Sequence, residues 1–216
     1  LTVFQRTPNF SIPAHNRPLE PEYVAEVKAH YSELRAANNL EAGGFGSRTE
    51  RNDGSVFEAS EAERAENFER KWQIGGFGFL AAFGDLLMAP ESNEFAADFV
   101  CSKIRATVKD PAVADLLCPQ QVIGCKRLCV DINYFETYNR DNVTLVSVKD
   151  HPIERVTPKG LVTGGKEYEF DCLIFATGFD AMTGSLTRID IRGRDGLALK
   201  DKWAAGPRTY LGLGSA

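Results

Sequence analysis

Three short stretches of the sequence hold residue types and spacings that could do chemistry. Lys126 and Arg127 are adjacent cations after Gly124-Cys125, with apolar Leu128 and Val130 close behind. Two positive charges fixed side by side suit an anionic cofactor or an anionic intermediate, because a guanidinium holds two oxygens at once through its fork geometry. Taken alone, such a pair is more commonly a solvated basic turn. The second stretch is Phe4-Gln5-Arg6-Thr7-Pro8. In a dinucleotide-binding sheet the end of the second strand meets the adenosine ribose, where an acid selects the free hydroxyl of NAD and an arginine accommodates the 2′-phosphate of NADP. Arg6 would then read that phosphate, although five residues alone favour the plainer reading of an exposed arginine at a strand end. The third is Leu173-Ile174-Phe175-Ala176-Thr177-Gly178-Phe179-Asp180, read as a buried strand running into small residues. Small residues let backbone approach a flat ligand closely. A strand-to-turn junction in which Gly178 only supplies a positive φ explains the run equally well.

These groups need elements to position them. Residues 1 to 6 read as a strand closed by Thr7-Pro8, since the residue before proline avoids the helical region. Pro13 and Pro18 keep the next stretch extended. From about Pro21 to Ala37, Tyr23, Val24, Val27, Tyr31 and Leu34 recur at helical spacing and predict one surface helix with a buried stripe. Residues 40 to 55 read as a loop, and Ser60 with Glu63 supplies a capping-box pattern ahead of a charged helix through Trp72. Phe95, Phe99, Ile104 and Val108 mark a further helix, and Asp110-Pro111 starts a short one that ends by Pro119. After Arg140 the runs 143–148, 153–156, 161–163, 168–170 and 172–175 are strand-like and divided by Pro, Gly and Asn. A helical insertion is thus expected between an early strand and a later β-rich part.

A dinucleotide fingerprint should lie about 20 residues before an arginine in the position of Arg6, which falls before Leu1. Gly76-Phe77-Gly78-Phe79-Leu80-Ala81 matches that pattern by letter but follows a charged helix, so it is set aside. Gly212-Leu213-Gly214-Ser215-Ala216 is too short to use.

Composition narrows the field. With 216 residues, 43% of them hydrophobic, the chain can build a real core. The 25 basic and 30 acidic residues give a net charge of -5 without a clustered basic stripe, which argues against nucleic acid as a partner. No apolar run approaches the roughly 18 residues of a membrane span, and the expected location is cytoplasmic. The five cysteines and three histidines form no metal-ligand spacing, so no metal is expected and the thiols read as buried or idle. The chain opens inside an apolar run without Met and stops after another, and both ends are expected to be cuts.

Taken in order, Val3 to Pro8, Lys126-Arg127, Tyr134-Phe135-Glu136-Thr137-Tyr138-Asn139-Arg140-Asp141-Asn142-Val143, Ala176 to Asp180, Ile189-Asp190-Ile191-Arg192-Gly193 and Trp203 to Leu213 resemble the flavin-dependent Baeyer-Villiger monooxygenases of the cyclohexanone and phenylacetone type. The resemblance implies an α/β fold: a fragment of a Rossmann-like NADPH-binding domain carrying a helical insertion, plus part of the linker to an FAD-binding domain. Residues 1–20 would be strand and loop of the NADPH domain, 21–120 the insertion, 121–180 the returning β-rich part and linker, and 181–216 the start of a truncated FAD-domain segment. It further implies FAD and NADPH as cofactors, and a ketone and O2 as small-molecule substrates. FAD would capture oxygen as a C4a-peroxide that delivers one atom beside the ketone carbonyl.

By matching motif positions, Arg6, Thr7 and Lys126 would bind the NADP 2′-phosphate. Arg127 would be the catalytic arginine, and Thr177 and Gly178 would lie on the linker near the cofactors. The glycine fingerprints, the family's His-and-Trp signature and the carboxylate partner of the catalytic arginine are not found in these residues. Expressed alone, the chain is therefore expected to be inactive, to bind NADPH weakly or not at all, and to aggregate readily. Two rivals stay open. One is a related flavin monooxygenase acting on amines or sulfides. The other is a non-catalytic helical interaction module, which would show no preference for NADPH over NADH.

Overall fold

The computed structural model describes residues 1–41, 43–176, 178, 182–212 and 214. These form two units, residues 1–157 with 161–167, and residues 158–160 with 168–216. In the first unit, β1 (Thr2–Gln5) lies parallel to β4 (Thr144–Ser147), with Gln5 opposite Ser147. β2 (Ser11–Pro13) lies parallel to β3 (Cys129–Asp131), with Ser11 opposite Cys129. Parallel neighbours cannot be joined by a tight hairpin and need a long crossover. Here the crossover is helical, as the sequence predicts: α1 (Pro21–Ala29), α2 (Tyr31–Leu40), α3 (Glu61–Ile74), α4 (Pro90–Thr107) and α5 (Pro111–Leu117). A single turn, α6 (Tyr134–Thr137), precedes β4. The β2–β3 pair was not expected, because three-residue strands around a proline carry almost no periodicity.

The one helix expected over residues 21 to 37 is two, broken at His30, whose φ of -111° and ψ of 21° leave the helical region. Nor is its stripe buried, since neither helix contains a buried residue. Tyr23, Val27, Tyr31 and Leu34 instead line an open groove of about 970 Å³ opposite Phe45 and Ile74. Helical periodicity reports that a face is apolar, not what covers it.

The capping box of α3 forms as read. The Ser60 hydroxyl accepts from the Glu63 amide at 3.3 Å, and the Glu63 carboxylate accepts from the Ser60 amide at 2.8 Å. The Ser60 hydroxyl, which donates to that carboxylate at 2.7 Å, and then the Ser60 amide hold the Glu63 carboxyl below its usual range. The helix ends at Gly75, whose φ is +76°, and a Cβ there would lie 2.3 Å from the Pro13 carbonyl oxygen. Both conformation and space therefore demand glycine at the point where α3 meets the end of β2. The rejected glycine pattern at residues 76–81 falls on a 3-10 turn over Gly76–Ala82, not on a strand-to-helix turn.

Phe68, Phe79, Phe83 and Phe99 form the aromatic centre of the core, with Phe68 5.4 Å from Phe99 and 5.5 Å from Phe83 between ring centroids. Phe10 and Ile12, wholly buried in the same cluster, fasten β2 to it. Truncating one of these phenylalanines to alanine costs roughly 3–5 kcal/mol.

β5 (Ile153–Thr157), β6 (Gly160–Thr163) and β7 (Lys166–Glu169) follow one another in a three-stranded sheet. The second unit adds two single turns, α7 (Gly184–Thr187) and α8 (Leu199–Lys202), and an antiparallel bridge between Arg192 and Ala198. The buried strand expected over residues 172–175 is not formed: these residues are irregular, with Ile174 85% and Phe175 63% exposed. An apolar run becomes a strand only where a neighbour takes its backbone hydrogen bonds, and no strand among the described residues pairs with it. Among the described residues no helix is long and apolar enough to cross a membrane, and no cluster of His, Cys, Asp and Glu is placed to hold a metal.

Candidate active site

The cationic pair sits on a short exposed segment held at both ends. On α4, the buried Asn93 donates from Nδ2 to the carbonyl oxygens of Leu86 (2.8 Å) and Ile123 (2.9 Å), and its Oδ1 accepts from the Ile123 amide at 2.9 Å. Ile123 is itself fully buried. Gly124 follows with φ +94°, and a Cβ there would lie 2.9 Å from Leu87 Cδ2. Cys125, Lys126 and Arg127 are exposed, and Leu128 returns to the core. Asn9 Nδ2 then donates to the Arg127 carbonyl oxygen at 3.0 Å, and the Cys129 amide donates to Phe10 O at 3.2 Å as β3 begins. The backbone beneath both cations is thus fixed, while their side chains have no hydrogen-bond or ion-pair partner among the described residues.

Arg6 and Thr7 leave β1 at its carboxyl end, the side of a parallel sheet where ligands bind. Their turn is clamped on both sides by side-chain amides. Gln5 Nε2 donates to Leu116 O at 2.9 Å, and Gln121 Nε2 donates to Pro8 O at 2.9 Å. Both residues border a cleft of about 160 Å³ that Ser147 and Lys149 close from the β4 side. Asp115 also lines the cleft, with its carboxylate 3.1 Å from Arg105 Nε.

The structure therefore joins two of the three stretches. The Arg6–Thr7 turn and the Arg127 backbone are linked through Asn9, three residues after Arg6, whereas Lys126 stands on the adjoining loop and does not line the cleft. Gly178 lies in the second unit with φ +76°, and a Cβ there would meet nothing within 4 Å. Its positive φ is a backbone conformation that favours glycine. Thr177 lies outside the described residues.

Sequence reasoning missed the residues that hold the site, namely Gln5, Asn9, Asn93 and Gln121. Each bonds to backbone carbonyls of a distant segment, and no local pattern in the sequence marks such an amide. It also passed over Lys149. Of the five thiols, read as buried or idle, Cys101 and Cys118 are buried and Cys125, Cys129 and Cys172 are exposed. Burial foremost, and then the neighbouring Cys118, push the Cys101 thiol up to about 12, which leaves it unreactive near neutral pH.

No family model matches the chain. Curated relatives and solved structures do. The 2-oxo-Delta(3)-4,5,5-trimethylcyclopentenylacetyl-CoA monooxygenase of Pseudomonas putida is 46% identical over 215 residues, covering 99% of this chain and 39% of the relative. A Baeyer-Villiger monooxygenase of Pseudooceanicola batsensis is 43% identical over 219 residues, covering 99% and 39%. The phenazine N-monooxygenase PhzNO1 of Lysobacter antibioticus is 41% identical over 221 residues, covering 100% and 40%. Among solved structures, a crystal structure of OTEMO in complex with FAD and NADP superposes with a TM-score of 0.91 at 45% identity, covering 98% of this chain and 39% of that one. The chain thus spans about two fifths of the length of the relatives it matches.

Proposed function

We propose that this chain, which is similar over almost all of its length to monooxygenases that include a Baeyer-Villiger enzyme and to a structure holding FAD and NADP, is a fragment of the NADPH-binding domain of a flavin-dependent Baeyer-Villiger monooxygenase and carries its catalytic arginine. The reaction inserts one atom of O2 next to a ketone carbonyl to give an ester or lactone. The observation that carries this reading is Arg127: a guanidinium with no hydrogen-bond or ion-pair partner among the described residues, on a backbone pinned by Asn93 behind it and Asn9 ahead of it.

The residues fit the groups they would hold. The carboxyl end of β1 brings Arg6, which has no side-chain partner among the described residues, and Thr7 to a cleft, which suits a ribose 2′-phosphate, and Lys126 adds charge from the adjoining loop. When bound, NADPH supplies the hydride and FAD passes its electrons to O2. The Arg127 guanidinium stabilises the negative charge that develops on the ketone oxygen as the carbonyl carbon becomes tetrahedral. The pinned backbone limits where that guanidinium can reach, and a donor so restricted needs less reorganisation than water at that moment. Gly178 belongs to the linker near both cofactors. On this reading residues 1–20 belong to the NADPH domain, 21–120 are its insertion, 121–180 are its returning β-rich part with the linker, and 181–216 open an FAD-domain segment. The enzyme works in the cytoplasm on small ketones.

The 41% identity to a phenazine N-monooxygenase favours one further reading, oxygenation at nitrogen. Steady-state NADPH oxidation by the complete gene product that carries these residues separates the two. A rise on adding a cyclic ketone, with ester or lactone formed, supports the Baeyer-Villiger reading. A rise only with a heteroaromatic amine, yielding an N-oxide, replaces it.

A further inference from the structure

The groove of about 970 Å³ beside α1 and α2 has large apolar side chains on its walls, and Tyr23, Tyr31, Phe45, Ile74 and Phe77 are each between 48% and 60% exposed. Its walls are tied together by polar bonds. The segment after α2 reaches all three helices around it: Arg48 meets Glu26 of α1 at 2.7 Å, and the Ser47 amide donates to Asn38 Oδ1 of α2 at 3.0 Å. From α3, Arg70 pairs with the Glu50 carboxylate and the Lys71 ammonium donates to the Glu50 carbonyl oxygen. Phe45 and Phe77 meet edge to face, with ring centroids 6.4 Å apart. A concave, largely pre-formed apolar surface carrying a few placed polar groups is the ordinary make-up of a small-molecule site, and its volume is at the upper end of the usual range of about 300–1,000 Å³.

The charge lining the groove is one-sided. Arg48 and Glu50 are compensated by Glu26 and Arg70. Arg35, on α2, has no hydrogen-bond or ion-pair partner among the described residues. Lys71 is buried and places one of its three N–H donors, on the Glu50 carbonyl oxygen. Burial foremost holds its pKa below the ordinary 10.5, an effect that a nearby anion opposes. The Ser47 hydroxyl oxygen is buried with no hydrogen-bond partner among the described residues, where buried polar groups normally have one. We propose that this groove is a binding site for a hydrocarbon ending in a carboxylate. The hydrocarbon lies along the apolar walls, where it covers surface otherwise left in water. The Arg35 guanidinium takes both carboxylate oxygens through its planar fork, and Lys71 adds positive potential from within the groove. None of the residues lining the groove lines the cleft beside Arg6, and the site does not depend on the oxygenase reading.

The test is titration calorimetry on the complete gene product with three probes: decanoate, 1-decanol, which lacks the charge, and acetate, which lacks the hydrocarbon. Decanoate is expected to bind more tightly than either of the others. Arg35→Ala is expected to weaken decanoate roughly tenfold, in line with loss of a charge-assisted contact, and to leave 1-decanol within twofold. Tyr31→Ser, at an exposed position on the apolar wall, is expected to weaken both. Arg127→Ala is expected to bind decanoate as the wild type does. Absence of decanoate binding, or equal affinity in the wild type, Arg35→Ala and Tyr31→Ser, overturns the proposal. Binding lost in Arg127→Ala and kept in Arg35→Ala overturns it as well, because the carboxylate then sits at Arg127.

Discussion

The side-chain amide of Gln121 donates to the carbonyl oxygen of Pro8 at 2.9 Å, tying the segment after α5 to the turn that carries Arg6 and Thr7. With Gln5 donating to Leu116 O from the other side of the same turn, the end of the helical insertion sets where the two residues stand. The insertion is thereby part of the cleft's architecture as well as a source of hydrophobic core.

Replacing Gln121 with alanine removes one such bond and frees the turn. A bond of this kind contributes about 0.5–1.5 kcal/mol, so Gln121→Ala in the complete gene product should raise KM for NADPH between about twofold and tenfold. The KM for NADH, which lacks the 2′-phosphate, should move little. Equal changes for both cofactors would mean that Gln121 only stabilises the fold.

Asn93 gives a different prediction because it is buried and fully satisfied, with three bonds to Leu86 and Ile123. Asn93→Leu fills similar space and strands the Ile123 amide and two carbonyls away from water. Each stranded group costs about 1–3 kcal/mol, so a large fall in the midpoint of thermal unfolding is expected. A midpoint within one or two degrees of the wild type would show that the loop holds its place without Asn93.

Much of this arrangement was legible in the sequence, for identifiable reasons. The strand before Arg6, the capping box at Ser60 and Glu63, and the helix start at Asp110-Pro111 are local signals, written in neighbouring residues, and all three form. The irregular run at 172–175 and the uncovered stripe on α1 and α2 were misread because burial depends on what lies opposite, which no window of sequence contains. The amide clamps were invisible for a related reason. Gln5 and Leu116, or Gln121 and Pro8, meet only after the insertion has folded back, and glutamine is as ordinary on a surface as in a clamp.

Asp85 links the core of the insertion to pH. Partial burial opposes its charge most strongly, yet the Ser55 hydroxyl, the Val56 amide and the Ser92 hydroxyl together outweigh that opposition and hold its pKa below the ordinary 3.8. The folded state therefore favours the ionised form. The resulting stability is present above the ordinary value and is lost as pH falls through the lower folded one. The stability gap between wild type and Asp85→Asn should be constant above about pH 5 and narrow below it, as read by urea denaturation at a series of pH values. A gap that does not change with pH would mean that these bonds serve the protonated acid equally well.

Whether Arg127 stabilises oxygen insertion beside a ketone carbonyl is decided by an isotope experiment. The complete gene product is supplied with NADPH, a cyclic ketone and ¹⁸O2, and the product is analysed by mass spectrometry alongside that of Arg127→Ala. The wild type is expected to give a lactone carrying one ¹⁸O atom in its ring. From Arg127→Ala the expected rate is lower by roughly 100- to 1,000-fold, the scale of losing one preorganised oxyanion donor, with the NADP 2′-phosphate still recognised. A lactone formed at the same rate by Arg127→Ala, or no labelled lactone from the wild type, would contradict the proposed role of Arg127.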